Sequence, residues 1–422
     1  MHPLSTKQAC IGVRRSGEVC LWHQEEHGIE YRRVSTKLPF NNPDDEIVNT
    51  SIGFQRDGKI IIAAYFAIAR SVKVYEVTIN WGYLLEAAKR IQTNPNYSVP
   101  EGQRVQPTLM VKKILQIDVN RFDPECSVLT NLDLMSPNYH QSTSMEVLLS
   151  FENQRSFNRE PVKTVLYRFQ LEAISQMTKL HSAFQSIGSK KGVDVKNIKS
   201  EETYELKYKQ RLEFNDSLLS MEILNLDMIM GFVFASGELK FFDRNNFEQI
   251  KNLYNQDSPV ADPLLPNTIN TLFDAGFEFS RMPFQPKYVI ISPNMCCYVS
   301  LPLNDSNLHV SVIKCEVKPE NLPPKRKGLL LATTVSIALR HTSACYFGYC
   351  TDDIVAAIKV ELWRCSKLIG DKYSYRLLVS ILQECQTAIS LNIDISTEQM
   401  DKMSQNQPLQ RMLALQFLLP HR

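Results

Sequence analysis

His23, Glu26 and His27 stand in the spacing H-x-x-E-H, an inverted form of the zinc-protease signature. That chemistry needs both histidines one turn apart on a single helix face, with the glutamate beside the metal-bound water. The flanking residues deny them a helix. Residues 18–22 read as a strand, an extended pattern resumes at 30–33, and Gly28 lies between. The pentad 23–27 is therefore expected in a hairpin turn, and no metal site is expected from it. A second set, His341, Cys345 and Cys350, offers only three ligands, and Cys345 falls on the apolar face of a helical segment, so core packing is expected there. Asp352 and Asp353 are adjacent carboxylates at a helix start, where capping is expected in place of acid-base work. Cys296 and Cys297 are neighbours in the apolar run 295–299. A mutual disulfide would be strained, and they read as buried thiols. The chain contains no G-x-x-x-x-G-K-[ST], G-x-G-x-x-G or G-x-S-x-G. No nucleophile, base and orienting group assemble, so the expectation is no catalytic residue, no metal, no cofactor and no enzyme activity.

The rest of the composition narrows the class further. The 422 residues suggest two to four domain-sized units, and 22% charged with 44% hydrophobic residues excludes disorder for most of the chain. Lys+Arg 47 against Asp+Glu 45 leaves a formal charge of +2, so no global field drives the chain onto nucleic acid or an anionic membrane. Glycine is scarce, 15 of 422, which disfavours phosphate cradles and flexible linkers. Ten cysteines without framework or zinc spacing suit a reducing compartment. The N-terminal residues lack a secretory pattern, and the longest apolar window, 329–339, is about half the length of a membrane span. Residues 324–327, Pro-Lys-Arg-Lys, match a short nuclear-import patch or a solvated linker.

The elements that would position any site are β-rich from residue 8 to about 314. Short runs of Val, Ile, Tyr and Phe separated by polar turns predict strands at 9–13, 18–22, 59–65, 71–79, 145–151, 164–169, 218–224, 228–235, 238–243, 287–292, 296–301 and 309–314. Gly17, Gly58 and Gly237 fall at the turns, where a positive φ is wanted. The strand pairs GVRRSGEVCLW, AYFAIARSVKVY and GFVFASGELKFFD each end near an aromatic, as in WD-type blades, although no regular repeat of forty to forty-five residues is present. A β-sandwich fits the same hairpins equally well. Two excursions are expected, one near 83–109 with a short helix, the other near 171–205. The second starts helical and turns basic at Lys190, Lys191, Lys196 and Lys199; it reads as a solvated loop.

Residues 318–327 hold three prolines and three adjacent basic residues, a stiff linker. Beyond them the apolar period becomes helical, with Ile354, Ile358, Leu362, Cys365 and Ile369 on one stripe and Leu378, Ile381, Leu382, Cys385 and Ile389 on another. The expected organisation is thus a β-rich domain over 1–317, a linker over 318–327 and an all-α array over 328–422. Four helices are expected, stacked as hairpins whose apolar stripes bury one another, with the last stripe, 409–419, left without a visible partner.

Several stretches, taken in order, resemble one family. CIGVRRSGEVCLWHQEEHGIEYRRVSTKL and GKIIIAAYFAIARSVKVYEVTINWG, the latter with Ile79, Asn80 and Trp81, look like successive blades of fungal Mediator complex subunit 16. LHSAFQSIGSKK, NTINTLFDAGFEF, ISPNMCCYVSL and IALRHTSACYFGYCTDDIVAAI resemble its later segments. The resemblance implies a WD40-like β-propeller followed by a helical array. It also implies a non-enzymatic, nuclear subunit of the Mediator tail module that links DNA-bound activators to RNA polymerase II. The implied partners are other tail subunits and transcription activators, with no sequence-specific nucleic-acid binding and no membrane. Members of that family are longer, so the resemblance also implies a shortened chain with an incomplete ring. The readings from other classes are a generic propeller adaptor outside Mediator and a hydrolase using the histidine pentad.

Overall fold

The computed structural model describes residues 2–39, 45–55, 57–94, 97–122, 128–137, 144–153, 162–175, 202–224, 227–250, 277–315, 341, 344, 350–369, 376 and 379. Its contacts divide the chain into two compact units, Met1–Ser217 and Leu218–Arg422.

In the first unit, β1 (Ala9–Val13), β2 (Glu18–Gln24) and β3 (Tyr31–Lys37) form a three-stranded sheet. A four-stranded sheet follows in the order β4 (Ile47–Phe54), β5 (Ile60–Phe66), β6 (Ser71–Asn80) and β7 (Thr108–Asp118). Between β6 and β7 lies helix α1 (Tyr83–Ile91). The next sheet runs in the order β11-β10-β9-β8, from β8 (Val128–Met135), β9 (Glu146–Glu152), β10 (Thr164–Ser175) and β11 (Glu202–Phe214). Every described pairing is antiparallel and each sheet is open.

Strand β5 shows why its sequence, IIIAAYF, has no polar alternation. Ile60, Ile62, Ala64 and Phe66 enter a core with Val19, Leu21 and α1 residues Leu84 and Ala87. Ile61, Ala63 and Tyr65 enter a second core with Leu132, Leu149 and Phe169. Successive side chains point to opposite faces, so a sheet packed on both sides must be apolar at every position. The edges of neighbouring sheets are also tied together. Asn49 Nδ2 donates to the Thr130 carbonyl (2.9 Å), Leu134 N donates to Ser51 Oγ (2.9 Å), and Phe54 N donates to Ser136 Oγ (2.9 Å). These bonds set β4 beside β8, the first strand of one sheet beside the first strand of the next.

In the second unit, β12 (Leu218–Leu224), β13 (Ile229–Phe234) and β14 (Leu239–Asp243) form one sheet. A two-stranded pair joins β15 (Phe277–Glu278) to β19 (Lys314–Cys315), and a three-stranded sheet comprises β16 (Pro286–Ile291), β17 (Cys297–Pro302) and β18 (His309–Val312). Helix α2 (Asp352–Ile369) contributes Ile354, Ala357 and Ile358 to a core with Val233, Phe241, Val289, Ile291 and Tyr298. First strands again adjoin, since Ile291 N on β16 donates to Glu222 Oε2 on β12 (2.9 Å).

All twelve strand segments expected from the sequence are present, and Gly17, Gly58 and Gly237 have φ of 77°, 81° and 82°. The excursion expected near 171–205 differs at its start. β10 continues to Ser175, paired with β11 through Ser175↔Glu202, so Leu171 belongs to a strand and not to a helix. The apolar pattern was shared with a partner strand that lies beyond 176–201. The linker expected at 318–327, the lysines at 190–199 and most of the helical array lie outside the described residues.

Candidate functional site

The histidine pentad is split by the fold. His23 and Gln24 are the last residues of β2, and Glu25, Glu26 and His27 make the turn toward β3. The three candidate ligands go to three different neighbours. The His23 ring, 1% exposed, meets Trp81 edge-on with centroids 6.1 Å apart, and His2 packs on the same indole at 5.1 Å. Glu26 Oε1 lies 3.0 Å from Arg104 Nη2 in an ion pair whose carboxylate is almost fully buried. His27 Nε2 donates to the Tyr97 carbonyl at 2.9 Å. Among the described residues, no group of three His, Cys, Asp or Glu is placed to hold a metal ion.

This arrangement is a clamp between the hairpin turn and the α1 segment. Arg104 is itself held, with Nε donating to the Val99 carbonyl (2.9 Å) and Nη2 to Ser98 Oγ (3.0 Å). Burial, and then the neighbouring Glu26 carboxylate, push the Tyr83 hydroxyl well above the ordinary phenol range. Burial also lowers the pKa of His2, whose Nε2 donates to the Gln24 carbonyl (2.9 Å). The entry to α1 depends on Gly82. Its φ is 54°, its amide donates to Asn80 Oδ1 (3.1 Å), and a Cβ there would run into the Val105 carbonyl oxygen. The Ile79-Asn80-Trp81 sequence thus ends β6, seats the indole under the hairpin and turns the chain into the helix.

The other expected sites resolve differently. Asp352 and Asp353 do open α2, as expected for a cap. Asp353 also does something the sequence does not reveal: its carboxylate accepts from Asn294 N and Nδ2 (both 2.9 Å), and Asn294 Nδ2 also donates to the Cys350 carbonyl (2.7 Å). Asn294 is 2% exposed and sits in the turn between β16 and β17. The turn therefore fixes the start of the helix. His341 is buried and Cys350 exposed; Cys345 lies outside the described residues. Cys296 is buried and Cys297 half-buried, and neither is in a disulfide.

A buried ion pair and a half-buried carboxylate on the sheet β8–β11 were not foreseen. Arg168 donates through Nε to Glu146 Oε2 (2.9 Å) and through Nη2 to Glu146 Oε1 (2.7 Å), a two-pronged pair with both side chains about nine-tenths buried. Asp133, on the same face, is raised by burial from an ordinary 3.8 to about 6. A pattern search could not have paired Glu26 with Arg104 or Asn294 with Asp353, because 78 and 59 residues separate them and neither pair forms a motif.

Within each unit the described residues form antiparallel sheets joined by side-chain hydrogen bonds, and His23, Glu26, His27 and Asp353 pack or bond against other parts of the chain. A family profile described as "Mediator complex subunit 16, N-terminal" matches residues 1–282, and the chain belongs to that family. It is 29% identical over 462 residues to "Mediator of RNA polymerase II transcription subunit 16" of Scheffersomyces stipitis, covering 99% of this chain and 43% of that protein. The proteins of the same name from Candida albicans and Saccharomyces cerevisiae are 27% and 20% identical, with 99% of this chain and 42% and 41% of theirs covered. The chain spans a little over two-fifths of the length of these curated relatives.

Proposed function

We propose that this chain acts as a non-enzymatic scaffold within the tail module of Mediator, in the nucleus, relaying signals from DNA-bound activators to RNA polymerase II transcription. Membership of the subunit 16 family supports the complex, and the relatives carry RNA polymerase II transcription in their names. The observation that supports the scaffold reading is the use of the candidate catalytic groups as clamps: His23, Glu26 and His27 hold Trp81, Arg104 and Tyr97, three parts of the connection between β6 and β7. No helix among the described residues is long and apolar enough to cross a membrane.

The proposed architecture is a WD40-like β-propeller over 1–317, a linker over 318–327 and a helical array over 328–422 that docks a neighbouring tail subunit. Two features support the propeller over a two-layer sandwich. The sheet β4–β7 is covered on both faces, and first strands adjoin from one sheet to the next, β4 with β8 and β12 with β16. Radially repeated blades have this geometry, whereas a sandwich leaves one face of each sheet to water. Loops and outer faces of the β part would then meet other subunits and activators.

Immunodepletion of the protein from nuclear extract tests the function. Activator-stimulated transcription is expected to fall while basal transcription is retained, and restoring the purified chain with its bound subunits recovers it. Unchanged stimulation after complete depletion contradicts the proposal.

A further inference from the structure

Strand β3 carries Arg32-Arg33-Val34-Ser35, the one place in the 422 residues where arginines stand both three and two positions ahead of a serine or threonine. A protein kinase with an acidic substrate groove reads that pattern, because two guanidiniums at fixed spacing match carboxylates placed ahead of the reacting hydroxyl. The fold keeps the pattern available. Among the described residues β3 is the outer strand of its sheet and pairs on one side alone, with β2. Arg32, Arg33 and Ser35 are all exposed, and an outer strand already holds the extended backbone that peptide grooves accept. Charge on such a strand guards an open edge, which accounts for the arginines but not for a serine at this spacing behind them.

The neighbours of Ser35 also suit a phosphate. The register sets Ser35 beside Cys20 and Lys37 beside Glu18, so Arg33, Ser35 and Lys37 share a face with Glu18. The Ser35 hydroxyl donates to the Glu18 carboxylate, which pairs with Arg33 Nη2 at 2.6 Å and Arg14 Nη1 at 3.3 Å. Three cations therefore stand around one carboxylate, a local excess of two positive charges. A phosphoserine carries about −1.5 to −2, enough to cancel that excess.

We propose that Ser35 is a phosphorylation site for a serine kinase that selects basic residues, and that Arg33 then holds the phosphate in place of Glu18. In the kinase's active site Ser35 Oγ attacks the γ-phosphorus of a nucleoside triphosphate. The new O–P bond forms as the bond to the leaving nucleoside diphosphate breaks, and the hydroxyl proton passes to the kinase's catalytic base. On this chain the two added charges repel Glu18 and draw in the guanidinium that Glu18 holds now, since a phosphate offers Arg the same two-pronged bonding with more charge.

The test uses the full 422-residue chain in its folded state, with magnesium ATP and the catalytic subunit of cyclic-AMP-dependent protein kinase. Tandem mass spectrometry then locates the phosphate. It is expected on Ser35 and absent there in Ser35→Ala. Arg32→Gln alters an exposed side chain outside the Glu18 group, paired only at the turn with Glu25, and is expected to lower kcat/KM at Ser35 at least about tenfold while melting normally. The phosphorus NMR titration of the phosphorylated wild type reads the second part of the proposal. Its second pKa is expected below the value of about 6 of a solvated phosphoserine. A folded chain that takes no phosphate at Ser35, or takes it only after heat denaturation, overturns the site. Equal kcat/KM in Arg32→Gln overturns the reading of the arginines, and a phosphate titrating at the solvated value overturns the exchange with Glu18.

Discussion

Asp133 lies on β8 opposite Leu148, and burial holds its pKa near 6 against an ordinary 3.8. The sign follows from linkage. The folded state binds this proton more tightly than the unfolded chain, so the charged form weakens the fold above pH 6 and the cost disappears below about pH 4. A shift of this size corresponds to about 3 kcal/mol at neutral pH. Asp133→Asn is therefore expected to be most favourable relative to wild type at pH 7.5 in urea denaturation, with the advantage shrinking by about that amount as pH falls to 4. A difference independent of pH would remove the buried charge from the account. The Glu146–Arg168 pair carries a second expectation. Arg168→Met strands a buried carboxylate and is expected to cost about 3–5 kcal/mol, while Glu146→Leu combined with Arg168→Met recovers most of it. The same urea titrations measure both. These residues were silent in the sequence, where each is an ordinary charge in a strand; their roles come from partners that only the sheet brings together. The pentad was conspicuous by contrast, and its expected place in a turn was right for Glu25, Glu26 and His27, while His23 lies in the strand.

Hairpins and long-range clamps differ in how far the sequence reveals them. Strands buried on both faces, such as β5 and β13, were legible as unbroken apolar runs, and short turns gave their partners. Among the outer strands β14 and β18 were legible, whereas β3 and β11 were not. β3 reads YRRVSTK and β11 ETYELKYKQRLEF, each with one wet face and many charges, which protects a sheet edge but erases the apolar signal. β7, TLMVKKILQID, begins only at the end of the excursion expected near 83–109 and gave no apolar signal for the same reason, whereas the helix within that excursion is present as α1. At this scale the clamp makes a prediction. Arg104→Ala removes the charge facing Glu26 and the bonds to the Val99 carbonyl and Ser98 Oγ, and is expected to cost roughly 2 kcal/mol. It should also raise amide hydrogen exchange in residues 25–30 and 97–105 ahead of the β5–β6 core. Uniform exchange across the unit would mean the turn is not held by this pair. Gly82→Ala is expected to be worse still, since it adds both a positive-φ penalty and a collision with the Val105 carbonyl.

The whole molecule is legible through order. Within each unit two sheets adjoin through their first strands, β4 with β8 in the first and β12 with β16 in the second. Glycine is needed at turns, at one helix entry and inside β13, where a Cβ at Gly231 would lie 2.7 Å from Leu224 Cδ1. The central claim is that the assembly built on this chain is Mediator. Affinity purification of the tagged chain from nuclear extract at moderate salt, with quantitative mass spectrometry of what accompanies it, tests that claim most directly. Joint enrichment of Mediator subunits is the predicted result. A well-folded tagged chain that brings down no Mediator subunit would contradict it.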